Sequence, residues 1–272
     1  MKVGIIGAGT MGSGIAQAFA MTDGYEVCLC DIKQEFADGG KAKILKNLNF
    51  LVGKEKITQE KADAIAAKIT TGLKDICTDC DMVIEVAPEK MEIKKTTFKE
   101  LQDIVKPDCI FATNTSSLSI TEMGAGLDRP LVGMHFFNPA DRMKLVEVIA
   151  GANTPKELVE KIKAIATEVN EAAGFVVNRI LIPMINEAIN VYAAGVASVK
   201  DIDVAMQLGA NHPMGPLALG DYIGLDIVLA IMEVIYAETG DSKYAPSPLL
   251  RKMVRAGKLG KKTGAGFYDY SK

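Results

Sequence analysis

The sequence predicts an α/β protein in which a mostly parallel sheet, with helices on both faces, is followed by an all-α domain. In the first part of the chain, short β-branched runs alternate with amphipathic segments, which is the pattern of right-handed βαβ units. From Val177 onward, apolar residues recur at helical spacing and strand-like runs are nearly absent. We therefore predict two domains, residues 1–176 and residues 177–272.

Composition limits the classes of protein to which the chain can belong. Its 272 residues are 49% hydrophobic, which provides a substantial core and excludes a disordered protein. The net charge of −3 gives no electrostatic footprint for nucleic acid, and the apolar stretches end well before the roughly 18 residues of a membrane span. No export signal is visible, so we expect a cytoplasmic protein without nucleic-acid or membrane partners.

The elements of the first domain follow from periodicity and from helix-start signals. Strand-like composition covers residues 2–6, 27–30, 82–86, 110–113, 131–134 and 145–149. Helical periodicity covers residues 11–21, 41–52, 58–68 and 91–105. Two further helices are predicted by capping signals, one at Ser119 and Glu122 and one at Thr154-Pro155-Lys156-Glu157.

Two segments of the second domain, residues 177–194 and 225–237, are apolar on most of their sides. A helix of that kind must be buried, either within its own domain or against a partner. We therefore expect a homodimer formed through these C-terminal helices.

The five cysteines are expected to be reduced thiols, because a cytosolic chain of this size seldom carries a disulfide framework. Cys28 and Cys30 alternate along a strand and so share one of its faces. Cys77 and Cys80 form a C-x-x-C pair, but there is no second such pair and no histidine at zinc-finger spacing. Buried structural thiols are the favoured interpretation, redox or metal chemistry is the alternative, and no metal site is predicted.

A glycine-rich turn predicts the cofactor. The turn Gly7-Ala8-Gly9-Thr10-Met11-Gly12 matches G-x-G-x-x-G between a strand and a helix, and Asp31 follows 19 residues later. The first glycine allows the tight turn, the second lets backbone N–H groups approach a pyrophosphate, and the third lets the helix pack against the strand. Asp31 can accept hydrogen bonds from ribose hydroxyls and would repel a 2′-phosphate. We therefore predict a Rossmann-type domain that binds NAD rather than NADP.

Polar residues in apolar surroundings are candidates for catalysis. The run Asn114-Thr115-Ser116-Ser117 follows a strand, at the edge where α/β sheets bind ligands. His135 ends one apolar run, and Glu147 lies inside another, where a carboxylate is costly unless it is paired. A His–Glu pair would hold the imidazole in one tautomer as a general acid and base. The alternatives are a loop with a capping serine, a core histidine and, for Asn178, a hydrogen bond at the domain junction.

These residues belong to a longer series of motifs: the glycine-rich turn, NTSSL at 114–118, HFFNP at 135–139, MKLVEV at 143–148, GFVVNR at 174–179, NHPMGP at 211–216 and GKKTGAGFY at 260–268. In this order and combination, the sequence resembles the short-chain L-3-hydroxyacyl-CoA dehydrogenases over essentially the whole chain. Within that family it is most similar to the bacterial 3-hydroxybutyryl-CoA dehydrogenases.

The resemblance implies an enzyme of fatty-acid and butanoate metabolism that interconverts acetoacetyl-CoA and 3-hydroxybutyryl-CoA with NAD(H). Its C-terminal helical domain would serve substrate binding and dimerisation. His135 would be the acid and base, Glu147 its orienting partner, and Ser116 and Asn178 would bind the C3 oxygen. The resemblance further implies dinucleotide contacts from Glu89, Lys94, Asn114, Ser116, Asn138 and Lys262. It also assigns Lys54 to a phosphate of CoA.

Departures from the family pattern are local. Asp141-Arg142 occupies a loop that is usually apolar and contains proline, and the segment between Ser119 and His135 is shorter than usual. The alternatives are a dehydrogenase of longer 3-hydroxyacyl-CoAs or of free 3-hydroxy acids, and a non-catalytic structural relative. Enzymes for free acids typically use a catalytic lysine, and the intact His135 and Glu147 argue against a structural relative.

Some basic residues near these motifs have two interpretations. Lys41, Lys43 and Lys46 fit either a phosphate acceptor or an ordinary solvated helix face. His212 stands beside a proline in a turn-like stretch, and we expect it to be structural.

Overall fold

A computed structural model describes residues 1–162, 167–170 and 172–271 of the chain. Its contacts divide the protein into two compact units, Met1–Glu171 and Ala172–Lys272. The first unit contains the predicted mostly parallel sheet, and the described part of the second is helical apart from isolated bridges. The predicted fold class is therefore confirmed, whereas the predicted boundary between residues 176 and 177 stays a prediction.

Where the first unit is described, eight strands form one sheet: β1 (Lys2–Ile6), β2 (Glu26–Cys30), β3 (Ile69–Gly72), β4 (Met82–Glu85), β5 (Ile110–Thr113), β6 (Leu131–Phe136), β7 (Val146–Ala150) and β8 (Thr167–Asn170). They lie in the order β3-β2-β1-β4-β5-β6-β7-β8. Neighbouring strands are parallel except β6 and β7, which run antiparallel. The direction of winding reverses between β1 and β4, and α/β sheets bind ligands outside the carboxyl ends of such strands.

The described residues of the first unit form six helices: α1 (Thr10–Met21), α2 (Gln34–Gly53), α3 (Gln59–Ala67), α4 (Met91–Gln102), α5 (Ile120–Gly124) and α6 (Lys156–Ile162). The strands contribute fully buried residues such as Val3, Ile5 and Ile84 to the core. The predicted cap at Ser119 is present, because its hydroxyl accepts a hydrogen bond from the backbone N–H of Glu122 at 3.0 Å.

Several boundaries differ from the prediction. The sequence does not predict β3 or β8, which are four-residue edge strands with one large apolar residue each. Helix α2 begins before the predicted residue 41 although it includes Gly39 and Gly40, which are poor helix formers. A Cβ at Gly40 would lie 2.7 Å from the Cβ of Ala8, so this glycine permits close packing against the glycine-rich turn. Tertiary packing outweighs local propensity at these places.

The start of α6 also differs from the prediction. The sequence predicts that Thr154 caps this helix, but its hydroxyl donates to the carbonyl oxygen of Leu131 and accepts from the N–H of Gly151. The helix begins at Lys156. Thr154 therefore connects the helix start to the sheet.

The second unit contains α7 (Val177–Ala193), α8 (Val199–Gly209), α9 (Pro216–Ile223), α10 (Leu225–Thr239) and α11 (Pro248–Arg255). Its core includes Ile185, Ile189 and Met232, all fully buried. Within the described part of the chain, no helix combines the length and the apolar character that a membrane span needs.

Two buried carboxylates organise the C-terminal tail of the second unit. Asp203 accepts hydrogen bonds from the backbone N–H groups of Leu217 and Ala218 and from the hydroxyl of Tyr268. Asp221, fully buried, accepts from the N–H groups of Phe267 and Tyr268. Burial raises the pKa of Asp221, and these backbone hydrogen bonds oppose the shift. The two aspartates thereby hold residues 267 and 268 against α8 and α9.

Candidate active site

The glycine-rich turn lies at the switch point of the sheet, between β1 and α1. Gly7 has a φ of +116°, and a Cβ there would lie 2.7 Å from the carbonyl oxygen of Val86. A Cβ at Gly12 would lie 1.7 Å from the carbonyl oxygen of Gly7, whereas one at Gly9 would meet nothing within 4 Å. Packing therefore requires the first and third glycines, and the second faces open space. That space, at the N-terminus of α1, has the donors that a pyrophosphate needs.

Asp31 connects the end of β2 to this turn. One carboxylate oxygen accepts the backbone N–H of Ala8 and the other accepts that of Ile32, both at 2.7 Å. Each oxygen retains a second lone-pair position, so ribose hydroxyls can be accepted as well. In the first turn of α1, Thr10 is exposed and Met11 is half-buried. These residues fit the dinucleotide that the sequence predicts.

A buried ion pair lies at the carboxyl end of β4. Glu85 is fully buried, and both of its oxygens lie 2.9 Å from the ammonium of Lys94, which is itself 1% exposed. Glu85 also accepts the hydroxyl of Thr113 at 2.7 Å. Burial raises the pKa of Glu85, and Lys94 and Thr113 oppose that shift. The same ammonium is 3.3 Å from the carboxylate of Glu89 and 3.2 Å from the carbonyl oxygen of Ala87.

Glu89 determines the conformation of the loop that carries Ser116. One of its oxygens accepts the backbone N–H groups of Ser116 and Ser117, at 2.7 and 3.1 Å, and the hydroxyl of Thr115 at 2.6 Å. Its other oxygen faces Lys94. Glu85, Lys94 and Glu89 therefore form a continuous chain of polar contacts from the core of the sheet to the backbone of Ser116.

The predicted His–Glu pair is present and buried. His135 in β6 lies directly opposite Glu147 in β7, and the Nδ1 atom is 2.7 Å from the Oε2 atom. The two residues are 4% and 1% exposed. The ring of Phe137 packs against the imidazole with its centroid 4.5 Å away. Because Glu147 engages Nδ1, the imidazole ring is held in one orientation.

Asn114 joins β5 to the strand that carries the histidine. Its side-chain oxygen accepts the backbone N–H of Phe136 at 2.9 Å. The loop that follows β5 is thereby tied to the residue next to His135. The structure thus assembles the predicted catalytic histidine, its glutamate and the Ser116 loop at one edge of the sheet.

Four further predicted site residues are Asn138, Lys54, Asn178 and Lys262. Asn138 is exposed just beyond β6, and Lys54 is exposed at the end of α2, with its ammonium 5.8 Å from the ring centroid of Phe50. In the second unit, Asn178 is buried in the first turn of α7, and Lys262 forms a 2.6 Å ion pair with Asp226. The roles of these four residues stay predictions from the resemblance.

Glu85 is a site residue that the sequence analysis does not single out. The signal was available, since Glu85 stands in the apolar strand β4 just as Glu147 stands in β7. A carboxylate in such a run requires a partner, and Lys94 supplies it.

Comparison with protein families decides the assignment. The NAD-binding domain of 3-hydroxyacyl-CoA dehydrogenase matches residues 2–179, and the C-terminal domain of the same family matches residues 174–270. The chain belongs to the 3-hydroxyacyl-CoA dehydrogenase family. This confirms the predicted family, the predicted class of NAD-dependent dehydrogenase and the predicted cofactor NAD(H).

Individual members of the 3-hydroxyacyl-CoA dehydrogenase family match over the full length. The chain is 55% identical to the 3-hydroxybutyryl-CoA dehydrogenase of Clostridioides difficile, with 100% of both chains covered. It is 48% identical to the protein of that name from Bradyrhizobium diazoefficiens, covering 99% of this chain and 95% of the relative. The crystal structure of (S)-3-hydroxybutyryl-CoA dehydrogenase from Ralstonia eutropha superposes with a TM-score of 0.94 at 46% identity, covering 100% and 99%.

Proposed function

We propose that the protein interconverts acetoacetyl-CoA and (S)-3-hydroxybutyryl-CoA, with hydride transfer between NAD(H) and C3 of the acyl group. The observation that carries this proposal is the buried His135–Glu147 pair beside the Ser116 loop. The choice of acetoacetyl-CoA as substrate is supported by a relative named 3-hydroxybutyryl-CoA dehydrogenase, which is 55% identical over the whole chain.

His135 acts as the general acid and base. When bound, NADH supplies the hydride and NAD⁺ accepts it in the reverse direction. His135 donates a proton to the C3 oxygen during reduction and removes the hydroxyl proton during oxidation. Glu147, 2.7 Å from Nδ1, keeps Nε2 directed to the substrate and stabilises the imidazolium.

Ser116 and Asn178 stabilise the C3 oxygen as negative charge develops on it. The Ser116 hydroxyl is positioned by its backbone, which Glu89 holds through a 2.7 Å hydrogen bond. Donors that are fixed before the reaction cost no reorganisation during it, so such a position favours the transition state over the ground state.

The dinucleotide is bound by Gly7–Gly12 and Asp31, with further contacts from Glu89, Asn114, Ser116, Asn138 and Lys262. The ammonium of Lys94 is buried against Glu85 and Glu89. Lys94 therefore acts on the dinucleotide site by holding these two carboxylates in place. Asp31 selects NAD by repelling a 2′-phosphate.

Replacing Asp31 with Ala and Ile32 with Arg together should shift the ratio of kcat/KM values towards NADPH. Equal use of NADH and NADPH by the unchanged protein would contradict this role of Asp31.

Coenzyme A is recognised at the exposed end of α2. Lys54 lies there and binds a phosphate of the substrate. Lys41 is unsuited to that role because its ammonium donates to the carbonyl oxygen of Ile69 at 2.6 Å. Lys43 and Lys46 are exposed on the same helix and are the next candidates.

The second unit forms a homodimer. Ile180 of α7, Leu208 of α8 and Ile227 of α10 are 69%, 82% and 43% exposed, although their side chains are aliphatic. A second copy would remove these side chains from water. Light scattering after size exclusion would measure the mass of the particle, and Leu208→Glu should shift that mass towards the monomer.

We also propose a cytoplasmic location for the protein. Cell fractionation would test it.

One assay separates the substrate classes. NADH oxidation is measured with acetoacetyl-CoA, with longer 3-ketoacyl-CoAs and with free acetoacetate. We expect the highest kcat/KM with acetoacetyl-CoA. A preference for longer chains or for the free acid would support those alternatives instead, and no turnover with any of them would support a structural relative.

A further inference from the structure

Four of the five cysteines lie together near the carboxyl end of β2. Cys28 and Cys30 belong to β2, Cys77 ends a 3-10 turn over Lys74–Cys77, and Cys80 precedes β4. All four are at most 1% exposed. The Sγ atoms of Cys30 and Cys77 are 3.4 Å apart, and Cys28 and Cys80 lie close enough to Cys77 to shift the pKa of its thiol. We call these four residues the thiol cluster.

The sheet provides space for the thiol cluster. A Cβ at Gly4 in β1 would lie 2.8 Å from the Sγ of Cys77 and 3.4 Å from that of Cys80. The missing side chain is therefore what accommodates these sulfur atoms. In the part of the chain that is described, no His, Cys, Asp or Glu group has an arrangement that could hold a metal ion. Two sulfur atoms in contact at 3.4 Å can be joined by a disulfide on oxidation.

The thiol cluster is directly connected to the dinucleotide turn. The carbonyl oxygen of Cys30 accepts the backbone N–H of Gly7 at 2.8 Å. The next residue, Asp31, accepts the N–H of Ala8. A displacement of Cys30 therefore moves both the turn and the carboxylate assigned to the ribose.

We propose that Cys30 and Cys77 are a redox modification site, at which a hydroperoxide forms a reversible disulfide that weakens NAD(H) binding. The effect on binding rests on the role proposed above for Asp31. The disulfide itself is independent of that role and of the substrate.

The other thiols provide a route to this bond. Interaction with Cys77 and Cys80 lowers the pKa of Cys28, and we assign the attack on the peroxide to Cys28 for that reason. Its sulfur attacks the peroxide, the S–O bond forms, the O–O bond breaks, and the released hydroxide takes a proton to become water. The Cys77 sulfur then attacks Cys28, the S–O bond breaks, and the departing hydroxide takes the Cys77 proton to form a second water.

The disulfide then moves to its final position. Cys30, 3.4 Å from Cys77, attacks the Cys77 sulfur, releases its proton to water and displaces Cys28 as a thiolate. A thiol of low pKa is the better leaving group, which favours this direction. In total, two thiols lose two hydrogen atoms and one hydrogen peroxide is reduced to two waters. Cys28 is regenerated.

The bond requires the protein to move. Two sulfur atoms at 3.4 Å must approach to about 2.05 Å, so the Cys77 turn and the end of β2 are drawn together. The turn follows β3, an edge strand, and Leu73 at its start is 45% exposed. Short segments at a sheet edge open locally at low cost, which admits a molecule as small as hydrogen peroxide.

The test uses the full chain with hydrogen peroxide as the probe. After treatment, thiols are counted in denaturant, the linked peptides are identified by mass spectrometry, and the Kd for NADH is measured by fluorescence. We expect the five free thiols to fall by two, a Cys30–Cys77 link, and full reversal by dithiothreitol. The Kd should rise at least about tenfold, since displacements of 1 Å in positioned groups cost up to about 100-fold.

Variants sharpen this test. Cys77→Ser should prevent the disulfide link at Cys30 and the change in Kd, and Cys28→Ser should slow the reaction. Cys109→Ser is the matched control, because Cys109 is also buried and lies outside the thiol cluster; burial raises its pKa to about 11. It should behave as the unchanged protein. An undiminished thiol count, a link that omits Cys30 or Cys77, or a Cys30–Cys77 link with unaltered Kd would each overturn the proposal.

Discussion

The two units of the protein bury carboxylates with different partners. In the first unit, Glu147 faces an imidazole and Glu85 faces an ammonium. In the second, Asp203 and Asp221 accept hydrogen bonds from backbone N–H groups and, for Asp203, a tyrosine hydroxyl. A charged or titratable partner lets a carboxylate control charge at a site, whereas fixed dipoles let it hold chain segments together. The contrast predicts that removing the imidazole that faces Glu147 affects catalysis. Removing the ammonium that faces Glu85 leaves a buried charge and lowers stability, and replacing Asp203 or Asp221 also lowers stability.

The largest effect is expected at His135. His135→Gln should lower kcat by about 10²–10⁴, because general acid–base catalysis is lost. The Kd for NADH should stay unchanged, since Gly7–Gly12 and Asp31 are intact. His212→Gln, at the other histidine of the chain, is the control and should leave both quantities unaltered. Near-normal kcat in His135→Gln would refute the assignment.

Removing the cation beside Glu85 should be costly to stability. Lys94→Met leaves a fully buried carboxylate without its ion pair, which typically costs about 3–5 kcal/mol of unfolding free energy. Lys95→Met is the matched control on the same helix. Lys95 pairs with Glu122 at the surface, and such pairs contribute about 0–1 kcal/mol. Urea denaturation measures the unfolding free energy of both variants. Equal losses in Lys94→Met and Lys95→Met would contradict the larger contribution expected from the buried Glu85–Lys94 pair.

Ser116 and Asn178 should affect kcat more than cofactor binding. Loss of one oxyanion donor typically costs about 10²–10³ in kcat. Ser116→Ala and Asn178→Ala should each show this loss, and the double variant should fall short of the product because our proposal assigns both groups to one atom. If Asn178→Ala raised only KM, Asn178 would be a binding or junction residue.

The smallest expected effect is the contribution of Asp221 to the pH dependence of the unfolding free energy. Burial raises its pKa in the folded state, so the folded protein binds more protons there than the unfolded chain does. The contribution of Asp221 to the unfolding free energy is therefore complete below about pH 4, the pKa of an unfolded aspartate, and is lost as the pH rises through the folded value. Asp221→Asn removes this dependence and costs about 1–3 kcal/mol, since one backbone donor loses its acceptor.

Asp241 provides a control of opposite sign. Its hydrogen bond with Lys243 lowers the pKa of Asp241, so its contribution appears above the unfolded pKa and is lost as the pH falls. The unfolding free energies of the unchanged protein, Asp221→Asn and Asp241→Asn are compared between about pH 2 and pH 7, a range that covers the loss of the Asp241 contribution below the unfolded pKa. Identical pH slopes for the two variants would contradict the interpretation of Asp221.

Local patterns predicted the features of the site that depend on neighbouring residues. The glycine-rich turn was recognisable because backbone conformation and close approach restrict its positions to glycine. The His135–Glu147 pair was predictable because a carboxylate inside an apolar strand requires a partner. The same reasoning, applied to Glu85, would have indicated a buried partner, although it could not have selected Lys94.

The sequence by itself determined the alternation of strands and helices, the dinucleotide turn and the residues capable of acid–base chemistry, because these depend on periodicity and residue type over short distances. The tertiary structure alone decided that β3 pairs at the sheet edge, that Cys77 touches Cys30, and that Asp203 holds Tyr268 across 65 residues of chain. Contacts of that kind depend on which segments the completed core brings together. A short polar strand or a buried aspartate is stabilised by distant partners, and nothing in its own neighbourhood specifies them.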